Sequence, residues 1–237
     1  MKIRLKNFII NELSGWKIYE ILFLAIVYII ALYNAIYLKD NIFGVIAAIC
    51  GATATAAAGK GKISTYFFGI FSTLCYSYIA FKSMIYGNFL LNICYYFPMQ
   101  FIGIAAWKKH MKSDKQEIIK TKLSKSEFIL IFAILILSCS MFSLVLRHFN
   151  DIHPYIDAIT TIGSVFGVFL TVRRCFEQWY VWFVVNGLTL YMWICVLINN
   201  EGSYSTVIQW AAYFIIGIYF MFEWKKELSQ DAQNNLL

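Results

Sequence analysis

Eight long stretches of this chain are nearly free of charge, and short polar connections, most of them basic, separate them. The stretches run from Tyr19 to Leu38, Ile42 to Ala58, Ser64 to Phe81 and Phe89 to Trp107, then from Phe128 to Leu146, Ile156 to Val172, Glu177 to Ile198 and Ser205 to Phe222. About twenty helical residues cross a hydrocarbon core of about 30 Å. The pattern therefore predicts an all-α integral membrane protein with eight transmembrane helices. The stretch from Tyr19 is long enough to span and no small-residue cleavage site follows it, so it reads as a retained helix rather than a signal peptide.

The connections fix an orientation, because short loops alternate sides and Lys and Arg collect in the cytoplasm. Alternate connections hold Lys2, Arg4, Lys6 and Lys17; Lys60 and Lys62; seven lysines from Lys108 to Lys125; Arg173 and Arg174; and Lys225 and Lys226. The opposite connections hold only Lys39, Lys82 and Arg147. Both termini are thus expected in the cytoplasm, in a bacterial-type inner membrane.

A repeat emerges when the sequence is slid by 117 residues. Asn92 to Lys109 then lies on Gln209 to Lys226, so that Asn92 meets Gln209, Tyr96 meets Tyr213, Phe97 meets Phe214 and Trp107 meets Trp224. Interface anchoring explains the Trp and Lys matches but not the shared register of three helices. The second to fourth spans form one unit and the sixth to eighth another, with the fifth as a linker. Four crossings separate the two starts, so both units begin on the same side as a parallel repeat, with substrate expected between them near the midplane. The expected divisions are an N-terminal tail and extra helix (1–38), a first three-helix bundle (39–110), a polar loop with linker helix (111–150), a second bundle (151–226) and a tail (227–237).

Composition excludes several function classes. The chain is 60% apolar and 19% aromatic, far beyond an ordinary soluble domain. Its net charge of +7 is explained by the topological bias and contact with anionic lipid, so no nucleic-acid partner is needed. His110, His148 and His153 lie in polar connections, and the six cysteines lie in or beside apolar runs. No metal-ligand spacing results, and neither a metal nor another cofactor is expected. An integral-membrane enzyme would need clustered acids or histidines at a membrane face, so the chain is not expected to be one.

Polar residues inside the spans are the candidates for chemistry, since an amide facing lipid is costly. In the seventh span Trp179, Trp182, Asn186 and Trp193 share a face, and Thr189 continues it. Such a face offers a slot for a flat ring, with an amide to hydrogen-bond it; packing between helices is the alternative use. Asn92, Tyr96 and Gln100 recur every four residues in the fourth span, and Gln209 and Tyr213 repeat that spacing in the eighth. Pro98 removes one backbone hydrogen bond, giving a kink or a hinge. Glu177, four residues after Arg173, reads as an i, i+4 ion-pair partner, and Asp157 follows the helix-starting Pro154 as a favourable first-turn acid or a polar group at the outer mouth. Ala47, Gly51 and Thr55, and separately Gly163 and Gly167, are spaced for close helix approach.

The run from Asp157 to Asn186 resembles the signature region of the Pnu vitamin-transporter family, nearest to its PnuC-type members, which carry nicotinamide riboside. The matching residues are Asp157, Thr160, Thr161, Arg173, Arg174, Glu177, Trp179, Trp182 and Asn186. "GKIS", "YGNFLLNICYYFPMQFIG" and the closing Trp-Lys-Lys extend the likeness over nearly the whole chain. One departure is Val168, where many relatives carry Gln after the glycine. The resemblance implies a SWEET-like architecture of three helices, a linker and three helices, here with an extra N-terminal helix. It also implies facilitated diffusion with intracellular trapping by phosphorylation, and a homotrimer. Thiamine, riboflavin and deoxynucleosides are carried by related members and stay open as alternatives. The residues themselves add that no buried chain of Asp, Glu or His is available to relay protons.

Overall fold

The computed structural model describes residues 10–39, 41–82, 86–111, 117–149, 153–198 and 204–234. Lys2, Arg4, Lys6, Lys112 and Lys115, used above to orient the chain, lie outside the described residues. The long helices are α1 (Ile18–Tyr37), α2 (Ile42–Lys60), α3 (Ser64–Lys82), α5 (Lys125–His148), α6 (Pro154–Val172), α7 (Gln178–Ile198) and α8 (Tyr204–Asn234). Between α3 and α5, α4 runs in three parts: Tyr86–Leu91, a π-helical turn at Asn92–Tyr96, and Phe97–Lys108.

Local sequence explains the boundaries. Gly61 ends α2 in a left-handed conformation at φ 68°, which glycine adopts without strain. Ser124 and Glu127 cap α5 reciprocally, each accepting the other's backbone N–H. Pro154 opens α6, where its missing N–H costs nothing.

Among the described residues, seven helices are long and apolar enough to cross a membrane, against the eight spans predicted. The exception is α3, 19 residues long, which places Thr65, Ser72, Thr73 and Ser77 on a buried face. These polar residues keep it from reading as a lipid-facing span, and they turn inward. The expected tail from 227 is a second difference, because α8 continues as helix to Asn234. The stretch after Phe222 carries pairs of Glu, Lys and Gln, which favour helix, and Glu227 is held by Lys120.

Six helices close a ring. α2, α3 and α4 pack in sequence on one side and α6, α7 and α8 on the other, while α2 meets α8 and α4 meets α6. α5 lies outside against α6, and α1 lies outside against both α2 and α8. Large apolar side chains such as Ile29, Ile36, Ile129 and Leu137 cover these outer helices and remain exposed, as a lipid-facing surface requires.

One end of the ring carries the α2–α3 turn with Lys60 and Lys62 and the α6–α7 turn with Arg173 and Arg174. At this basic end the segment Glu117–Ser124 crosses from one turn to the other. Ile118 donates its N–H to the Gly61 carbonyl at 3.0 Å, and Thr121 donates to the Arg174 carbonyl at 3.0 Å. Beneath this strap Trp107, Trp224, Trp179, Phe176 and Ile118 are buried in or beside one apolar cluster.

Candidate functional site

The ring encloses a cavity of about 240 Å³. This falls just under the roughly 300–1,000 Å³ common for small-molecule sites and admits one compact ligand. The eight binding candidates named from the sequence all line it: Asn92, Tyr96 and Gln100 from α4, Trp179, Trp182 and Asn186 from α7, and Gln209 and Tyr213 from α8. Trp193 and Thr189 share their helix but lie outside this lining. The cavity occupies the half of α7 nearest the basic end.

Glycines make the room. A Cβ on Gly51 would lie 1.8 Å from the Tyr213 hydroxyl oxygen, and one on Gly69 would lie 2.5 Å from Gln100 Oε1. Gly167 opens the space for the Trp182 ring, which a Cβ there would meet at 2.8 Å. The Trp182 indole donates to Thr171 Oγ1 at 3.2 Å, and Thr171 donates in turn to the Gly167 carbonyl at 2.8 Å, so the ring is fixed at its edge. Gln209 Nε2 donates to Tyr213 Oη at 2.7 Å, leaving the amide oxygen for other partners.

The two indoles differ. Trp179 is 2% exposed, stacked on Phe220 with centroids 6.1 Å apart and set edge-on to Trp224 at 5.5 Å. Protein occupies its faces. Trp182 is only partly buried and is the indole with surface to offer.

Four buried polar atoms on this lining have no hydrogen-bond partner: Tyr66 Oη, Trp179 Nε1, Trp210 Nε1 and Asn186 Oδ1. Leaving each unsatisfied costs about 1–3 kcal/mol, so an empty cavity is unfavourable and a hydrogen-bonding occupant is favoured. The set offers two indole N–H donors, one hydroxyl and one amide. Among the described residues no Asp, Glu, Lys, Arg or His lines the cavity, so an occupant there meets polar groups and aromatic faces.

Tyr66 and Trp210 escaped the sequence reading, as did Ser164 on α6 and the α3 face of Thr65, Gly69, Ser72, Thr73 and Tyr76. That face had a signal. Its three- and four-residue spacing of small and polar positions is the same amphipathic pattern that marked α4.

The expected pairing of Glu177 with Arg173 does not form. Arg173 Nη2 reaches Glu127 Oε1 at 2.9 Å, and Glu177 Oε2 accepts the Leu123 N–H at 3.2 Å. The reason is that α6 ends at Val172 and α7 begins at Gln178, with Arg174 turned to φ 63° between them. A four-residue spacing across that turn does not bring the side chains together as it would on a helix. In the same turn, burial pulls the Arg174 guanidinium below its ordinary pKa and pushes the Cys175 thiol up. Pro98 starts the α-helical stretch after the π turn, and neither it nor Asp157 lines the cavity.

The family described as nicotinamide mononucleotide transporter matches residues 41–226. The chain is similar to the nicotinamide riboside transporter PnuC of Neisseria mucosa, with 30% identity over 222 residues, covering 90% of this chain and 83% of that protein. PnuC of Haemophilus influenzae is 27% identical over 215 residues, covering 90% and 92%. A crystal structure of the vitamin B3 transporter PnuC superposes with a TM-score of 0.83 at 29% identity, covering 94% of this chain and 98% of that one.

Proposed function

This chain belongs to the nicotinamide mononucleotide transporter family, and we propose that it takes up nicotinamide riboside through the six-helix ring. The observation that carries this reading is the uncharged cavity with four unpartnered polar atoms. A riboside offers what those atoms lack: hydroxyls and an amide carbonyl for Trp179, Trp210 and Tyr66, and an amide N–H₂ for Asn186. Asn92, Gln209 and Tyr213 stand ready for the remaining groups. The cationic pyridinium suits the free surface of Trp182, where an indole attracts a cation by roughly 0.5–2 kcal/mol. This narrows the two tryptophans to distinct roles, with Trp182 supporting the ring and Trp179 donating a hydrogen bond.

The family's description names the mononucleotide, and the cavity favours the riboside over it. A phosphate carries charge into a site without a Lys or Arg on its lining, and an unpaired buried charge is strongly disfavoured. Transport is read as facilitated diffusion, with the two three-helix units rocking about the bound ligand and phosphorylation inside the cell preventing return. In this reading all eight long helices cross the membrane in a SWEET-like 3+1+3 arrangement with α1 added. The basic end faces the cytoplasm of a bacterial cell together with both termini, and three copies assemble.

Binding and counterflow with purified protein in liposomes test this, using nicotinamide riboside, its mononucleotide, thiamine, riboflavin and thymidine. The riboside alone should bind tightly and exchange. Exchange of the mononucleotide at the riboside rate, or preference for another vitamin, overturns the assignment. Trp182→Ala should abolish riboside binding in protein that remains folded, whereas unchanged affinity removes the stacking role.

A further inference from the structure

The strap Glu117–Ser124 is bonded to both halves of the ring, but unequally. On the second half Thr121 and Phe176 exchange backbone bonds with the α6–α7 turn, Thr121 N–H to the Arg174 carbonyl at 3.0 Å and Phe176 N–H to the Thr121 carbonyl at 2.8 Å. Arg174 Nη1 donates to the Ile119 carbonyl at 3.1 Å, Leu123 donates to Glu177 Oε2 at 3.2 Å, and Lys120 pairs with Glu227 of α8. On the first half the hold on the α2–α3 turn is one backbone bond, from Ile118 to the Gly61 carbonyl at 3.0 Å, and one ion pair, between Glu117 and Lys62 at 3.5 Å, while Ile119 donates to the His110 carbonyl after α4 at 2.9 Å. The Ile118 side chain is 1% exposed and so close to Gly61 that a Cβ there would lie 2.8 Å from its Cγ1.

The strap packs Ile118 into the cluster of buried Trp107, Trp179 and Trp224, of which Trp179 lines the cavity. A ligand leaving through this end requires the α2–α3 and α6–α7 turns to separate, and the strap joins them. We propose that Glu117–Ser124 is a latch across the cytoplasmic mouth, which stays docked on the second half and lets go of the α2–α3 turn when the cavity opens inward. The chemistry of the breakable side suits repeated opening. Lys62 is fully buried and also donates to the Asn11 carbonyl at 2.9 Å, while Glu117 is partly exposed, so the pairing is offset by the cost of keeping the ammonium from water. Opening restores water to that ammonium, and the break is then reversible rather than prohibitive.

The latch rests on the transport reading, and the experiment separates the two. In liposomes, with the cysteines other than Cys175 replaced by alanine, Gly61→Cys combined with Ile118→Cys, where a Cβ on Gly61 would lie 3.8 Å from the Ile118 Cβ, staples the strap to the first half. Thr121→Cys, whose hydroxyl contacts Cys175 Sγ at 3.7 Å, staples it to the second half against native Cys175. Oxidation of the first pair should lower nicotinamide riboside counterflow by about tenfold or more, with recovery on reduction, as expected for a blocked gating step. Oxidation of the second should leave it unchanged. Normal counterflow through the first staple overturns the latch, whereas absence of counterflow in the unmodified protein overturns the transport reading instead. A second measurement does not depend on cross-linking. Glu117→Gln should speed maleimide labelling of a cysteine placed at Ser164, applied from the cytoplasmic face of inverted vesicles, and an unchanged rate also overturns the latch.

Discussion

The two halves of the ring touch where α2 meets α8 and where α4 meets α6, and these seams differ in construction. The α2–α8 seam is paved with glycine. A Cβ on Gly59 would lie 2.1 Å from the Phe220 ring, and Gly51 gives way to Tyr213 in the same manner. The Trp224 indole donates to the Gly59 carbonyl at 2.6 Å, and α1 lies across both helices. Across α4–α6 the glycines are spent elsewhere: Gly103 faces Tyr66 of α3, while Gly163 and Gly167 face Val185 and Trp182 of α7. Side-chain hydrogen bonds span that seam, among them Tyr95 Oη to the Val165 carbonyl at 2.7 Å, the Trp107 indole to the Thr171 carbonyl at 3.0 Å, and a bond between Tyr96 and Ser164. Backbone laid directly on an aromatic ring leaves no side chain free to readjust, whereas a seam bridged by side chains tolerates a change of distance. The two halves thus meet once along a rigid line and once along a compliant one.

The strongest way to break this contrast is Gly59→Leu. The added side chain has nowhere to go but into Phe220, and overpacking by even one or two methylenes costs about 1–3 kcal/mol, so this change should abolish the folded protein. Monodisperse yield and the melting curve in detergent report it, and a stable Gly59→Leu variant shows that the line is not rigid. A finer comparison uses the two tryptophans that the repeat aligned. Trp224→Phe and Trp107→Phe each remove one indole bond to a backbone carbonyl; the Gly59 carbonyl loses that partner at about 1–3 kcal/mol, whereas the Thr171 carbonyl keeps the Arg174 N–H at 2.9 Å. Trp224→Phe should lower the melting temperature more, while Trp107→Phe should chiefly alter the counterflow rate. Equal melting shifts and equal rates remove the distinction. The smallest effect is expected from Lys17→Ala at the start of α1. Lys17 pairs with Glu223 at 2.5 Å, a contact that holds its ammonium above the usual lysine pKa, but both side chains are substantially solvent-exposed. The expected loss is below about 1 kcal/mol and is screened by salt, which a melting series at rising ionic strength detects.

Much of this architecture was visible in the hydropathy pattern, because lipid leaves backbone groups no partner outside the helix. Each predicted span coincides with a helix to within a few residues, apart from the long continuation of α8. The α4, α7 and α8 stripes converge on one cavity for a related reason, since polar residues in a span have only the interior to face. What stayed hidden depends on contacts between distant segments. Arg173 and Glu177 are local in sequence, yet the positive φ at Arg174 separates them and delivers each to the strap or to α5. Tyr66 sits in a helix of aromatic residues where nothing in composition marks one hydroxyl as unpartnered. The strap itself reads as a plain lysine-rich loop until the turns it bridges are seen side by side.

The π turn at Asn92–Tyr96 has a consequence for how this helix tolerates length changes. Four residues of α-helix overshoot a full turn by about 40°, so a four-residue polar spacing drifts around the axis, and a wider turn absorbs that drift. Asn92, Tyr96 and Gln100 thereby reach the same cavity. Such a turn is equivalent to one residue inserted into an α-helix. The wider turn winds about as far as an α-helical turn with one residue more, so deleting a single residue there lets the helix regularise with both flanks still in phase. Asn92 and Gln100 would keep facing the cavity, whereas a one-residue deletion within Phe97–Lys108 rotates the two sides by about 100° against each other. The same loss of one residue is therefore absorbed at one place in this helix and scrambles the binding surface at another.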